Sequence, residues 1–367
     1  MFKVDGAAQG AEYDKDTADQ DRTGNNQPRV DTEINKPGGA KFTVQSLSEK
    51  ATTDNLRMYN RVIIEKKNVA EFTGYIENLS VGLDTIEITC IGMLGFFNKR
   101  LYSGSFIAGG GGAPNIDDAI YQILNDTNTL DASGITQGTS TITGTIQEIE
   151  FKRSQITGAW VKLLGLINGE MEINTNRQLD LKPLLGTDKS SSIILRYESD
   201  KIAMSNVNEF QVDVEGKDMT NWLIGIRKGG ATSTGEDTLS IDTFGRIEKT
   251  QNFSETNNAT DLQNEIDTYI INHSEEFYSP KITVNTAKID VDDIKLGDKV
   301  QVLLDNGFIN YNNISRVIKR QITLSDNNEE ILAIDLMPET VNLLPSTFIV
   351  GDIVDLEQRM SLLESDL

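Results

Sequence analysis

Three runs of sequence decide the fold class of this chain: Arg61-Val62-Ile63-Ile64-Glu65, Phe72-Thr73-Gly74-Tyr75-Ile76-Glu77 and Thr85-Ile86-Glu87-Ile88-Thr89-Cys90-Ile91. Each run is short and rich in β-branched or aromatic residues that alternate with polar ones, which is typical of a half-buried β-strand. A similar run, Phe42-Thr43-Val44, lies upstream. Four short strands with polar turns between them indicate a small antiparallel barrel or sandwich. We therefore predict a first β-barrel domain over residues 40–103.

The same texture returns later in the chain. Strands are predicted at residues 193–197, 209–214, 239–243, 281–284, 299–304, 314–322 and 331–336. Asp305-Asn306-Gly307 predicts a hairpin, because Asn and Gly tolerate a positive φ. Thr260 and Gln263 have the spacing of a capping box and predict a helix near residues 251–280. The pattern indicates a second β-barrel domain over residues 187–345, interrupted by this helical insertion.

A segment of mixed character separates the two predicted barrels. It opens with four glycines at residues 109–112, and Asn115 then precedes apolar residues at helical spacing up to residue 125. Ser154 is the predicted N-cap of a second helix that Gly169 ends. Strand-like pieces lie between and after the two helices. We predict an inserted α+β domain over residues 104–186, which makes the whole chain mainly β with α+β insertions.

The N-terminal segment has the composition of an arm. Residues 1–39 are polar, with eight acids and five bases, and they end in the turn signal Lys36-Pro37-Gly38-Gly39. Such a composition favours a mobile arm that is ordered only by its neighbours. We predict a polar N-terminal arm over residues 1–39.

The C-terminal segment carries a heptad pattern. Five apolar residues spaced three and four apart occupy the a and d positions of a coiled coil: Ile353, Leu356, Met360, Leu363 and Leu367. Two heptads are too short to be stable alone. The sequence therefore predicts a C-terminal trimerisation helix over residues 346–367, and the alternative is an amphipathic helix that lies on its own domain.

The charge balance limits the partners of the chain. It has 34 Lys and Arg against 56 Asp and Glu, a net charge of −22, and no Lys/Arg-rich block. Stable nucleic-acid binding needs a basic surface, so we expect none, and anionic membranes would repel the chain. No stretch approaches the roughly 18 apolar residues of a membrane-spanning helix. The polar opening, Met1-Phe2-Lys3-Val4-Asp5-Gly6, does not resemble a secretory signal, so we expect synthesis in a cytoplasm.

A search for chemistry finds no catalytic pattern. One His and one Cys argue against a disulfide scaffold, a metal centre or Ser-His catalysis. The glycines at 109–112 are not followed by Lys-Ser/Thr, so they are not a P-loop, and Asp290-Val291-Asp292-Asp293 lacks the Gly and Glu of a calcium loop. We expect no catalytic residue, no cofactor and no metal, and we classify the chain as not an enzyme. The basic spot formed by Arg316, Lys319 and Arg320 is assigned to surface or inter-subunit pairing.

The strand runs resemble the first barrel of phage tail hub proteins, in the baseplate hub and late control protein family. The resemblance rests on Gly38-Gly39-Ala40-Lys41-Phe42-Thr43-Val44, the runs at 61–65, 72–77 and 86–92, and Leu101-Tyr102. Leu296-Gly297-Asp298-Lys299-Val300-Gln301-Val302 resembles the Gly-Asp-x-Val strand of the family's second barrel. The resemblance covers most of residues 38–345 in layout.

The resemblance implies a structural virion protein at the tail tip. Hub proteins of this kind form homotrimers whose two barrels per chain make a ring of six, which adapts a hexameric tail tube to a three-fold tip and lets DNA pass. The implied partners are further copies of the chain, the tail tube protein, distal tail or baseplate proteins, a spike or fibre protein and the tape measure protein. The chain ends at Leu367, so we expect separate proteins to supply a spike or a cell-wall-cutting domain.

Two other function classes remain open at this stage. A modular β-rich surface adhesin or carbohydrate-binding protein would also have several small β units with Asn/Thr-rich strands. Its aromatic residues would have to bind sugars, but the only two tryptophans are Trp160 and Trp222, and Trp160 falls on a predicted helix core. A tail lysin lacks its usual His, Cys and zinc pattern, although two carboxylates alone could catalyse.

Overall fold

The computed structural model describes residues 2–5, 11–13, 28–48, 51–66, 69–108, 113–130, 133–146, 148–174, 176–227, 229–253, 259–324 and 329–338. The first seven strands are β1 (Phe2–Asp5), β2 (Ala11–Tyr13), β3 (Arg29–Glu33), β4 (Gly39–Gln45), β5 (Arg61–Lys66), β6 (Val69–Val81) and β7 (Thr85–Gly92). The next elements are α1 (Met93–Phe97), β8 (Leu101–Ile107), α2 (Ile116–Leu130), β9 (Thr136–Ser140), β10 (Glu148–Gln155), α3 (Ile156–Gly165), β11 (Glu170–Ile173) and β12 (Gln178–Lys182).

The remainder of the described chain returns to strands. Its elements are β13 (Ile194–Glu198), β14 (Val207–Glu215), β15 (Trp222–Arg227), β16 (Thr232–Glu236), α4 (Thr238–Phe244), β17 (Glu248–Phe253), α5 (Ala259–His273), β18 (Phe277–Val284), β19 (Lys299–Asp305), β20 (Asn310–Leu324) and β21 (Glu330–Pro338). Short 3-10 turns lie at Ile202–Met204 and Val291–Asp293.

One thirteen-stranded sheet runs through most of the molecule, in the order β14-β18-β21-β20-β3-β4-β7-β6-β5-β1-β2, with β19 and β13 branching from β20. We call β4 to β7 the first β unit and β18 to β21 the second β unit. β3 lies between them, antiparallel to β20 on one side and to β4 on the other. The two β units are therefore parts of a single hydrogen-bonded sheet.

The two β units repeat the same topology. Their strand orders are β4-β7-β6-β5 and β18-β21-β20-β19, with all pairs antiparallel. The register repeats as well, because β6 has a bulge between Ile76 and Asn78, and β20 has one between Val317 and Lys319. In the first strand of each unit, Lys41-Phe42-Thr43-Val44 corresponds to Lys281-Ile282-Thr283-Val284. The chain thus contains an internal duplication of a four-stranded unit.

Alternating burial explains why these strands form. In β7 every second residue faces the core, so Ile86, Ile88 and Cys90 are buried while the residues between them are not. β19 has the same pattern with Val300, Val302 and Leu304. This is the two-residue period of a strand with one covered face. Each β unit therefore has an apolar core of its own.

Two smaller α/β layers accompany the main sheet. The middle domain, which we define as residues 93–182, packs α1, α2 and α3 with strands β8 to β12 around Trp160, whose ring centroid lies 4.7 Å from that of Phe97. The small domain, defined as residues 220–274, places α5 on the three-stranded sheet β16-β15-β17. Helices α2 and α5 lie at or near the predicted helical stretches.

The prediction of a mainly β fold is confirmed, but three details differ. None of the four sheets in the described residues closes into a barrel, because β3 uses the edges of both β units to continue one open sheet. Residues 239–243, predicted as a strand, lie in α4, where the Asp237 side chain accepts a hydrogen bond from the N–H of Ser240 as an N-cap. Residues 29–33, assigned to the polar arm, form β3 in the centre of the main sheet.

The second predicted helix also begins later than expected. α3 starts at Ile156, and its N-cap is Gln155 rather than Ser154, with no side-chain capping bond. The predicted trimerisation helix at 346–367 lies outside the described residues.

Candidate assembly site

The strongest candidate for a functional region is the joint between the two β units, built on β3. The strand pairs with β20 through Glu33↔Lys319, Thr32↔Arg320, Asp31↔Gln321, Val30↔Ile322 and Arg29↔Thr323. Val30 and Ile322 are both buried, and Glu33 is the one acid of β3 that lies opposite a base of β20, Lys319. The polar residues of β3 are thus held in the sheet by backbone hydrogen bonds to the strands on both sides. This joint fixes the first β unit against the second.

An ion pair between Arg320 and Glu71 crosses the same joint. Nη1 of Arg320 lies 3.0 Å from Oε2 of Glu71 in β6, and its Nη2 donates to the carbonyl of Val291 at 3.2 Å. Lys295 is a more distant partner of Glu71, at 3.8 Å. Arg320 is buried, so the pair is shielded from solvent and depends on both β units being in place.

A second buried ion pair joins the middle domain to the second β unit. Arg316 donates through Nη1 and Nη2 to the two carboxylate oxygens of Glu170, a bidentate arrangement. Its Nη2 also donates to the carbonyl of Leu185 at 2.9 Å, and its Nε to that of Gly297 at 3.1 Å. Glu170 in turn accepts from the N–H of Leu185 at 2.6 Å. Both charged groups are therefore hydrogen-bonded inside the protein.

Asp298 organises the turn that precedes β19. Its carboxylate accepts from the N–H of Thr187 at 2.8 Å and of Lys295 at 2.8 Å, and Nζ of Lys189 lies 2.9 Å away. Burial acts to raise the pKa of Asp298, but the bonds from Lys189 and from the two backbone N–H groups outweigh it and lower that pKa below its usual value. The Gly-Asp motif seen in the sequence is therefore an anchor between the chain at 187–189 and the second β unit.

Asn35 ties the β3–β4 turn to the middle domain. Its Oδ1 accepts from the N–H of Met171 at 2.9 Å, and its Nδ2 donates to the carbonyl of Gly169 at 3.4 Å. Asn35 has a φ of 57°, a left-handed conformation that Asn adopts more readily than most residues. A cavity of about 400 Å³ lies beside this turn, and its lining includes Phe72 of the first β unit, Leu94 of the middle domain and Arg320 of the second β unit. Three parts of the molecule thus meet at one place.

The acids at 290–293, the acid pair at 275–276 and His273, the one histidine of the sequence, are the remaining places to look for chemistry, and residues from each of them have structural partners. Asp290 caps the turn at 291–293 and accepts from the N–H of Asp292 at 2.9 Å, while Glu276 accepts from the hydroxyl of Tyr278 at 2.9 Å. The ring of His273 stacks on Tyr269 at 3.9 Å. Within the described ranges, no group of three or more His, Cys, Asp and Glu residues is arranged to hold a metal.

The assignment of Arg316 and Arg320 to surface or inter-subunit pairing is wrong. Both are buried and paired within the chain, with Glu170 and Glu71, which lie 146 and 249 residues away in sequence. The signal available in the sequence was the presence of two arginines in and next to the apolar positions of the strand predicted at 314–322. Their partners could not be predicted, because nothing in the sequence around Glu71 or Glu170 indicates a buried ion pair. The predicted oligomerisation residues Ile353, Leu356, Met360, Leu363 and Leu367 lie outside the part of the chain that the structure describes.

Comparisons with known proteins identify the fold. A tail protein from Neisseria meningitidis MC58 matches with a TM-score of 0.65 at 11% identity, over 93% of this chain and 97% of that chain. The 43 kDa tail protein of prophage MuSo2 from Shewanella oneidensis matches with a TM-score of 0.65 at 13% identity, over 94% and 99%. The prophage tail protein gp18 from Listeria monocytogenes EGD-e matches with a TM-score of 0.58 at 13% identity, over 98% and 99%.

The chain therefore has the fold of phage tail proteins, and the predicted resemblance is confirmed at the level of the fold. No protein-family model matches the sequence, and no curated protein matches it. Among the described helices, none combines the length and the apolar character needed to cross a bilayer.

Proposed function

We propose that this chain is a structural virion protein that forms a trimeric hub at the distal end of a phage tail. The observation that carries the proposal is the internal duplication: one chain supplies two β units with the same strand order, the same register and the same bulge. The fold shared with phage tail proteins supports the same role.

The duplication suits a change of symmetry. Three chains with two similar units each present six similar units around one axis, so a ring of three chains can face a six-fold tube on one side and a three-fold tip on the other. Closed cyclic assemblies of this kind need a head-to-tail interface whose rotation closes. In this proposal the two β units of each chain make the ring.

The remaining parts of the chain have roles in the same proposal. We retain the division into a first β domain (40–103), an inserted domain (104–186), a second β domain (187–345) and a trimerisation helix (346–367), preceded by an N-terminal segment (1–39) that supplies β3 to the main sheet. The inserted domain would contact distal tail or baseplate proteins, and the helix would lead toward a spike or fibre. The tape measure protein is a further proposed partner.

The net charge of −22 is compatible with a channel for DNA. Carboxylates along a lumen repel phosphate within about a Debye length, roughly 10 Å at moderate salt, so passing DNA would not adhere. The proposed role is passage of DNA without stable binding, and it needs no catalytic chemistry.

Immunogold electron microscopy of intact virions tests the proposal. Antibodies raised against the full chain should label one site, the tail end distal to the head, and antibodies absorbed with the purified chain should not. Label along the whole tail length would indicate a tube protein instead, and label on the head would reject a tail role. Saturable binding of the purified chain to host cells, competed by a sugar, would favour an adhesin.

A further inference from the structure

β14 pairs with the first strand of the second β unit, as β3 pairs with the first strand of the first β unit. β3 pairs with β4 through Arg29↔Lys41, Val30↔Ala40 and Asp31↔Gly39, and β14 pairs with β18 through Gln211↔Lys281, Val212↔Pro280 and Asp213↔Ser279. Lys41 and Lys281 are equivalent in the duplication, so residues 29–33 correspond one by one to residues 211–215. The two sequences are also similar, Arg-Val-Asp-Thr-Glu and Gln-Val-Asp-Val-Glu.

Both edges of β3 are paired, whereas in the described part of the chain β14 is paired on one edge only, with β18. β3 continues the sheet onto residues 319–323 of β20, but β14 is a terminal strand of the sheet in the described part of the chain. The counterpart of residues 319–323 is the end of β6, residues 78–82. Among the described residues, the β5 side of β6 is paired only as far as Ile76, which exchanges hydrogen bonds with Tyr59 and Asn60. One chain therefore presents two complementary open edges.

Apolar side chains on these open edges lack the cover that their counterparts have. Ile322, opposite β3, is 9% exposed, while its counterpart Val81 in β6 is 71% exposed. Val30 is buried, but its counterpart Val212 is only partly buried, and Val214 is 43% exposed. An open edge with uncovered apolar residues is a template for another strand. None of residues 78–81 and 211–215 is a proline that would block such pairing.

We propose that β14 of one copy pairs antiparallel with the end of β6 in the next copy, and so repeats between chains the joint that β3 makes within one chain. The register follows from the duplication: Asn78↔Glu215, Leu79↔Val214, Ser80↔Asp213 and Val81↔Val212. This inference rests on the proposed trimeric hub and adds the interface that holds its ring together. The occupant of the β6 edge is a second copy of this chain.

The residue types match in this register. Leu79 and Val81 would face Val214 and Val212, so apolar meets apolar, while Asn78 and Ser80 offer polar groups to Glu215 and Asp213. A register one residue away would instead place each apolar residue against a polar one. The interface is head-to-tail, because different edges of the two copies meet, and such contacts close into a ring when the rotation permits.

Engineered disulfides test the register. Ser80 and Asp213 correspond to Gln321 and Asp31, which face each other within the chain. The N–H of Ile34 donates to the carbonyl of Ile318, and the N–H of Leu324 donates to that of Pro28. Hydrogen-bonded and non-hydrogen-bonded pairs alternate along an antiparallel ladder, so Asp31↔Gln321 is a non-hydrogen-bonded pair. Such pairs have Cα atoms about 4.5 Å apart, within the disulfide range of roughly 4.4–6.8 Å.

The experiment oxidises the Ser80→Cys/Asp213→Cys double variant, as purified chain and in virions, and separates the products on a non-reducing gel. We expect inter-chain products that end at three chains and that disappear on reduction. Asp31→Cys/Gln321→Cys is the matched control and should form a disulfide without a change in mass. Ser80→Cys/Val214→Cys places the thiols on opposite faces and should give no product. The native Cys90 adds little background, because it is buried and its pKa is raised to about 12.

Each other outcome contradicts a stated part of the proposal. A trimer by mass that forms no inter-chain disulfide would contradict the strand pairing but not the proposed trimeric hub. A chain that forms neither a trimer nor an inter-chain disulfide would contradict the pairing between copies. Products longer than three chains would reject the closed ring.

Val81→Lys is a second variant that alters only an exposed side chain, so it should fold normally and lose at least tenfold in trimer affinity. An unchanged trimer mass on dilution would count against the interface. Absence of the chain from the tail tip would refute the proposed function, whatever the disulfides show.

Discussion

Tyr59 and Gly297 occupy the same position in the two β units. Their φ angles are 65° and 86°, and each donates its N–H to the strand residue before the bulge, Tyr59 to the carbonyl of Ile76 at 2.9 Å and Gly297 to that of Val317 at 2.8 Å. The turn therefore requires a left-handed residue in both units. In the second unit it also requires glycine, because a Cβ on Gly297 would lie 2.5 Å from the backbone of Leu185.

Gly297→Ala should destabilise the protein by about 2–4 kcal/mol, since it adds a steric clash to a strained backbone. The matched control is Gly307→Ala. Gly307 has a similar φ of 83°, but an added Cβ would meet nothing within 4 Å, so its cost should be only about 1 kcal/mol. Urea unfolding followed by circular dichroism measures both. Equal losses in the two variants would show that the contact with Leu185 is unimportant.

Arg316→Met should destabilise the protein by about 3–5 kcal/mol, because it leaves the carboxylate of Glu170 buried without its partner. Adding Glu170→Gln removes that charge, so the double variant should recover about 1 kcal/mol or more of the loss. Lys201→Met is the control, since it breaks an exposed pair with Glu198 and should change the stability little. The free energies of unfolding in urea give the comparison. Additive effects of the two buried substitutions would argue against a coupled pair.

Asp298 should make stability depend on acid pH. Its pKa is lowered in the folded protein, so its contribution is present above the unfolded-state pKa of about 4 and is lost as pH falls through the folded-state value. Asp298→Asn should therefore be less stable at pH 7 and should lose less stability on acidification below about pH 4. Thermal unfolding measured at a series of pH values tests this. Asp242→Asn, at an exposed position, is the control, and identical pH profiles for Asp298→Asn and the wild type would refute the assignment.

The sequence was informative where burial alternates. The strands of both β units and the apolar faces of α2 and α5 could be predicted, because their periods of two and 3.6 residues are local. β3 could not, since Arg29-Val30-Asp31-Thr32-Glu33 is polar, and its pairing with β20, unlike its pairing with the adjacent β4, involves a distant part of the chain. Its partners Lys319 and Arg320 lie almost 300 residues away.

The misassigned segment at 239–243 has a different cause. Leu239, Ile241 and Thr243 alternate as a strand would, but five residues are too few to separate a strand from a short helix. The helix is favoured by Asp237, whose side chain caps its N-terminus, and by Gly245, whose φ of 78° ends it. Both signals are single residues outside the alternating run.

The C-terminal heptads give an independent prediction about assembly. Leu356→Asp with Leu363→Asp places charges on the predicted seam of residues 353–367 and should weaken the trimer. Ser361→Asp with Ser365→Asp adds the same charge off the seam and should leave the assembly unchanged. Light scattering over a dilution series distinguishes them. If both variants keep the wild-type mass, the terminal helix does not hold the trimer together.

The measurement that bears most directly on the hub is the mass of the purified wild-type chain in solution, by light scattering at low and moderate concentration. We expect three times the 40.6 kDa of one chain, with a closed ring in electron micrographs of the same sample. A stable monomer or dimer at every concentration, and no ring, would contradict a trimer built from two β units per chain.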